Sequence, residues 1–285
     1  MSLYKRLTRW WPVSSNSIKI LGVRIDPISI DDLNLRIIEH ISSGNKPLVI
    51  FKPYVEFLSL AARNEHIREL LNQSDINAAD STALQWAASY LYGEPPTASN
   101  SLSTLRSLLV NLQLNSWRNQ IIPERMAGVD QTLPLLKLAN THKLRIGILG
   151  GPKDHEQTRR AIQSRFSDIK LDVWSGYFTA STEEEVVSAI HGFKPDILFC
   201  ALGFPKQEEF IIRHRNELGA KVIIGEGGSF DYNQLGGKIK RAPNWMRKIG
   251  LEWLWRLLLQ PKRIGRQIAI PVFIRKVQKQ RKAQK

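Results

Sequence analysis

Cysteine is nearly absent from this sequence: Cys200 is the one thiol among 285 residues, so no disulfide can form within the chain. The six histidines are scattered, and no Cys/His cluster has zinc-like spacing. Long apolar runs are missing too. None approaches the roughly 20 residues that span a bilayer. The opening segment, Met1 to Pro12, is too short and too interrupted for a signal peptide. Neither GxGxxG nor a Walker A loop occurs, which weakens classical dinucleotide or ATP binding. Acids are also scarce, with 26 Asp and Glu against 41 Lys and Arg.

That imbalance is local. From Gly236 onward there are fifteen Lys/Arg and one acid, Glu252, so nearly all of the +15 formal charge sits in the last fifty residues. Tryptophan and leucine are interleaved with those cations. Such a segment favours an anionic partner, and its Trp and Leu content favours a lipid surface over nucleic acid. The remainder, with 42% hydrophobic residues overall, suffices for one sizeable core.

Hydrophobic periodicity predicts a repeating strand and helix order. Short strands are expected at Ile18–Arg24 and Leu48–Lys52, and helices at Ile30–Ser43 and Glu56–Asn72. Asp75–Asp80 reads as a strand running into a loop, and Leu102–Leu114 as a Leu-rich helix. Helices at Gln131–His142, Asp154–Phe166, Thr182–His191 and Gln207–Leu218 alternate with strands at Leu144–Leu149, Leu171–Trp174, Asp196–Leu202 and Lys221–Gly225. This is the pattern of βαβ units: an α/β fold with a Rossmann-like parallel sheet flanked by helices. Cys200 falls inside an apolar strand and is expected to be buried. Three parts follow: a basic aromatic lead-in (1–17), an α/β core (18–237) with an apparent insertion at 94–122, and a basic amphipathic helical appendage (238–285). Pro261 and Pro271 are expected to break that appendage into short helices.

Three glycine-bearing loops end predicted strands. Gly150 and Gly151, Gly203 with Lys206 and Gln207, and Gly227 with Gly228 would all lie on the carboxyl edge of the sheet, where open α/β folds bind ligands. Each loop alone is equally readable as a tight turn or a solvated helix start; together they favour a nucleotide pocket. Asp80 ends the 75–80 segment. Its position suits an N-cap of the next helix, or a general base if it faces that pocket.

These residues also resemble a known family. Asp196 to Glu208 resembles D-x-L-x-V-A-L-G-x-P-K-Q-E, and Gly225 to Tyr232 resembles G-V-G-G-x-F-D-F. Arg241 to Leu257, followed by Gln260 to Arg263, is similar to R-A-P-x-W-x-x-x-x-G-L-E-W-L-x-R-L…E-P-x-R, and Glu124 to Asp130 to E-R-V-x-G-x-D. The family is the WecG/TagA/CpsF glycosyltransferases. The resemblance implies an inverting transfer, independent of metal or other cofactor, from a UDP-sugar to an undecaprenyl-diphosphate-linked sugar, in cell-surface polysaccharide or exopolysaccharide synthesis. The donor sugar is then ManNAc, glucose or a related hexose. It implies a peripheral site on the cytoplasmic face of the plasma membrane, where the basic tail would meet an anionic lipid surface; a second copy of the chain is a further candidate partner.

Carried over position by position, the resemblance makes Asp80 the catalytic base. Arg256, Arg263 and Arg266 become the cations on the leaving diphosphate, and Arg125 a substrate contact. Ser81 stands where the family has Gly. Lys52 and Tyr54 stand where the family has an active-site Thr and Asn, so both are assigned to the substrate pocket, and Lys52 would suit an acidic sugar. The same two replacements leave open a catalytically inactive sugar-nucleotide-binding subunit.

Overall fold

A computed structural model describes residues 17–44, 46–93, 121–243, 245, 246, 252–261 and 264–284; for 252, 253 and 264–268 it describes the backbone alone. The lead-in at 1–16, most of the apparent insertion with its expected helix at 102–114, Arg263, and the side chains of Trp253 and Arg266 lie outside the described residues.

The chain opens with a small antiparallel hairpin, β1 (Ile18–Ile20) and β2 (Val23–Ile25), turned through Leu21 and Gly22. Helix α1 (Ile30–Ser43) follows, with the Ser29 hydroxyl accepting from Asp32 N–H and two acids in its first turn. Strand β3 (Leu48–Phe51) leads to α2 (Val55–Ala61), α3 (Glu65–Asn72) and the short β4 (Ile76–Asn77). Next come α4 (Thr82–Tyr92), α5 (Gly128–Thr141), β5 (Arg145–Gly150), α6 (His155–Gln163), β6 (Lys170–Trp174), α7 (Glu183–Phe193), β7 (Ile197–Ala201), α8 (Lys206–His214) and β8 (Val222–Gly225). A 3-10 turn at Asn233–Leu235 and helices α9 (Glu252–Leu259) and α10 (Ile264–Ala283) complete the described elements.

Six strands form one sheet in the order β4-β3-β8-β7-β5-β6, and every pairing is parallel. Alternation along the strands builds two cores. Val49, Phe51, Leu149, Leu198, Cys200 and Ile223 face one helical layer; Leu48, Ile50, Ile146, Ile148, Phe199 and Ile224 face the other. Both faces are covered, as a parallel sheet requires. Cys200 is buried, and burial pushes its thiol well above the usual range, so it is a packing residue.

Four expectations change. The first strand is the hairpin, outside the main sheet. The helix expected at 56–72 is two helices: the chain turns at Ala62–Arg63, and the Asn64 side chain accepts from Ile67 N–H to start α3 afresh. Pro271 does not interrupt the C-terminal helix. It sits inside α10, which runs from Ile264 to Ala283. Nor is α10 held apart from the core: Phe273, Ile274 and Val277 are buried in the same cluster as α2 and α4, so the packed body extends past the boundary expected at 238. Polar bonds secure it. Lys276 Nζ donates to Ser59 O (3.0 Å), Gln280 Oε1 accepts from Leu21 N–H (2.8 Å), and Gln280 Nε2 donates to Lys19 O (3.0 Å).

Candidate active site

Because all six strands are parallel, their carboxyl ends share one rim. β3 delivers Lys52 there, and β8 delivers Glu226 and the Gly227–Gly228 loop. The β4 exit delivers Asp80, and β5, β6 and β7 deliver Gly150–Gly151, Gly176–Tyr177 and Gly203. The sequence-predicted loops are therefore brought together.

Asp80 is fixed by its backbone, whose N–H donates to Pro53 O (3.1 Å), while Met126 N–H donates to Ala79 O (2.8 Å). It does not cap α4. Ser81 does, its hydroxyl accepting from Leu84 N–H at 3.2 Å. The capping reading of Asp80 is thus overturned, and its carboxylate is not used as the cap. Burial raises the Asp80 carboxyl to about 7; the charges of Arg125, Lys52 and Arg256 oppose that rise, and Glu226 adds to it. One carboxylate thus feels the ends of β3 and β8, the loop before α5, and α9.

Lys52 is buried and already partnered. Its ammonium contacts the buried Glu226 carboxylate and donates to Gln131 Oε1 (3.1 Å). Ser229 Oγ donates to the other Glu226 oxygen, and Gln131 Nε2 donates to Asn34 Oδ1 (2.8 Å). The expectation that Lys52 suits an acidic sugar is corrected by this pairing: its charge is matched within the protein. Glu226 was absent from the residues expected in the site. Its signal lay in one acid among three glycines, but its partner is 174 positions away. Tyr54 donates its hydroxyl to Glu56 (2.6 Å) and its ring lies 4.4 Å from that of Phe57.

Arg256 reaches the rim from α9. Its guanidinium lies over the Tyr232 ring (4.7 Å) and donates to Gly228 O (3.4 Å), with Asp231 at 3.5 Å. Its Nε is buried without a hydrogen-bond partner. A Cβ at Gly228 would press on that guanidinium at 3.1 Å, so glycine lets the loop and the arginine approach. Trp255 Nε1 donates to Lys240 O (3.0 Å), which ties α9 to the segment whose Arg241 forms a two-pronged pair with Asp130 of α5 (2.7 and 3.1 Å). Arg125 pairs with the same Asp130 at 3.7 Å.

At the β5–β6 end, Gly150 has φ of +90°, and a Cβ there would strike Ala201 O at 2.6 Å. Gly151, Gly203 and Gly227 also have positive φ, and open space surrounds the last two. Lys206 Nζ donates to Gly176 O (3.3 Å) and sits over Phe178. Gln207 is buried rather than solvated; its Nε2 donates to Glu208 Oε1 (2.7 Å), and burial raises the Glu208 carboxyl to about 8. Tyr177, absent from the expected site, is 69% exposed on this rim with Lys153 Nζ 5.4 Å from its ring centre. An exposed ring beside lysines suits stacking of a nucleobase next to a phosphate. Among the described residues, no three His, Cys, Asp or Glu side chains are grouped to hold a metal ion.

A family profile described as the glycosyl transferase WecG/TagA/CpsF family matches residues 18–119 and 112–285. The chain belongs to that family. It is a glycosyltransferase. It is 32% identical over 275 residues, covering 93% of this chain and 94% of the relative, to a Staphylococcus aureus (strain MRSA252) protein. That relative is named N-acetylglucosaminyldiphosphoundecaprenol N-acetyl-beta-D-mannosaminyltransferase. A protein of the same name from strain NCTC 8325 / PS 47 is 31% identical over the same length and coverage. No described helix is long and apolar enough to cross a membrane.

Proposed function

We propose that this transferase moves a neutral hexosamine or hexose, ManNAc first among them, from a UDP-sugar to a GlcNAc-diphospholipid, with Asp80 as general base. The observation that carries this reading is the charge pattern around Asp80. A carboxyl raised to about 7 accepts a proton at neutral pH, and the cationic side chains of Arg125, Lys52 and Arg256 act on it. The relatives' printed name supports the acceptor and the sugar.

In this reading the UDP moiety lies along the glycine loops of β5, β7 and β8, with its base against Tyr177. The acceptor hydroxyl gives its proton to Asp80 as its oxygen bonds to the anomeric carbon. The bond from that carbon to the diphosphate oxygen breaks, and UDP leaves with the electron pair. Displacement from the opposite face inverts the configuration. Arg256 stabilises the departing charge, and its unpartnered Nε supports that role. The paired state of Lys52 supports a neutral sugar. Exposed Trp245 (62%) and Leu258 (66%), beside the basic C-terminal sequence, support docking on an anionic lipid surface where the acceptor resides.

Purified protein with UDP-ManNAc, UDP-GlcNAc and UDP-glucose, plus a short-chain GlcNAc-diphospholipid, tests this by measured UDP release. Turnover is expected with UDP-ManNAc, and Asp80→Asn is expected to lose at least 100-fold in kcat while still binding donor. Wild-type turnover in that variant removes Asp80 from the base role.

A further inference from the structure

The Lys52–Glu226 ion pair is the least economical feature of the cleft. Both side chains are buried, and neither belongs to the proton transfer itself. A buried ion pair is seldom more stable than apolar side chains of the same volume, so stability alone gives little reason to place one here. The pair is nonetheless set in a side-chain network. Gln131 and Asn34 extend it on the lysine side and Ser229 on the glutamate side. Helix α5 starts with Gly128, where a Cβ would collide with Ser229 Oγ and Glu226 Oε1. The chain thus gives up a side chain to let this helix close on the pair.

Its location supplies the reason. Strand β3 continues alongside the β4 exit, with Ala78 N–H donating to Phe51 O (2.9 Å) and Asp80 N–H to Pro53 O (3.1 Å), so Lys52 lies opposite Ala78, two positions along this ladder from Asp80. We propose that Lys52 and Glu226 are positioning residues whose paired charges fix the electrostatic field on the general base. The proposal rests on Asp80 being that base. The charges facing Asp80 are Lys52 from the end of β3, Glu226 from the end of β8, Arg125 from the loop before α5 and Arg256 from α9. Lys52 favours the ionised carboxylate and Glu226 opposes it, so the pair presents opposed influences that its two members can be made to reveal separately.

The pH profile of kcat/KM reads this directly. Rate rises with pH as Asp80 ionises. K52M removes a cation, so its low-pH limb moves up by on the order of one pH unit, which is about a tenfold loss on that limb. E226Q removes an anion, so its limb moves down. K52M/E226Q returns towards the wild-type limb. A single variant left with an unpaired buried charge can fail to fold, so K52E/E226K is made as well: it keeps the pair and puts the anion at position 52, whose effect on Asp80 is the larger of the two. Its limb moves up. Opposite shifts in the singles, or an upward shift in the swapped pair, support the proposal, since a purely structural role moves activity without moving the limb. A fixed limb in every folded variant, with Asp80→Asn inactive, overturns it and leaves the base assignment standing. An active Asp80→Asn variant overturns the base assignment itself.

Discussion

Asp80 carries a stability consequence as well as a chemical one. In an unfolded chain its carboxyl ionises near 3.8, whereas in the fold it does so at about 7. Between those values the native state holds more proton than the unfolded state, so this group's contribution to stability falls as pH rises through that window and is at its least favourable above 7. Asp80→Asn removes the ionisation. Its melting temperature should match the wild type near pH 4 and exceed it by several degrees at pH 8, where the removed cost is a few kcal/mol. Differential scanning calorimetry across that range checks it; a difference independent of pH would remove the burial argument. The neighbouring Ser81 shows why Asp80 was ambiguous in the sequence. Two adjacent residues could each cap α4, and only the hydroxyl that meets Leu84 N–H decides which is free. Lys52 was ambiguous for a different reason. A cation at a strand end reads as a ligand contact until its partner, far along the chain, is placed beside it.

At the scale of elements, helical periodicity located most of the described helices, and unbroken apolar runs located the central strands, because a parallel sheet is buried on both faces. Boundaries that depend on one side chain were less legible. The apolar stripe from Phe57 to Leu71 continues across the break at 62–64, so the pattern alone reads as one helix; Asn64 restarts it. Pro271 misled in the opposite sense. A proline inside a helix costs a hydrogen bond, but here the burial of Phe273, Ile274 and Val277 just beyond it favours continuity. Capping gives an elementary test. Asn64→Ala and Ser81→Ala should each lower unfolding free energy by about 1 kcal/mol, measured by urea titration. Ser81→Ala should also lower activity more than Asn64→Ala, because its turn sets the carboxylate of Asp80. Equal effects on activity would show that the turn holds Asp80 without its cap.

For the molecule as a whole, the sheet's parallel order was the most legible feature and the course of the C-terminal segment the least. Charge and tryptophan read that segment as a surface-seeking appendage, and Arg256 lies near Gly228 at the rim. Yet the apolar run of α10, Ile268 to Ile274, holds Pro271 and is flanked by Lys, Arg and Gln, so it does not announce a core element. Deleting residues 264–285 should therefore lower the melting temperature by more than 5 °C, because it strips three buried apolar side chains from α2 and α4. Val277→Asp in the full chain should reproduce that loss, whereas Lys279→Gln, on the exposed side, should weaken only the association with anionic vesicles, by less than tenfold and in a salt-dependent way. A truncated chain that melts like the full one would return α10 to the surface.

The bond between Leu21 and Gln280 joins positions 259 residues apart. During translation the hairpin emerges early, and the helix that satisfies its open N–H and C=O groups is made far later. Until then the apolar side of α2 meets water or a chaperone instead of Phe273 and Val277. Arg256 likewise arrives after both ends of the sheet have formed. A ribosome-bound precursor of this transferase thus carries the strands of its rim before it carries Arg256, and the charges that the proposed transfer needs around Asp80 come together only after α9 is made.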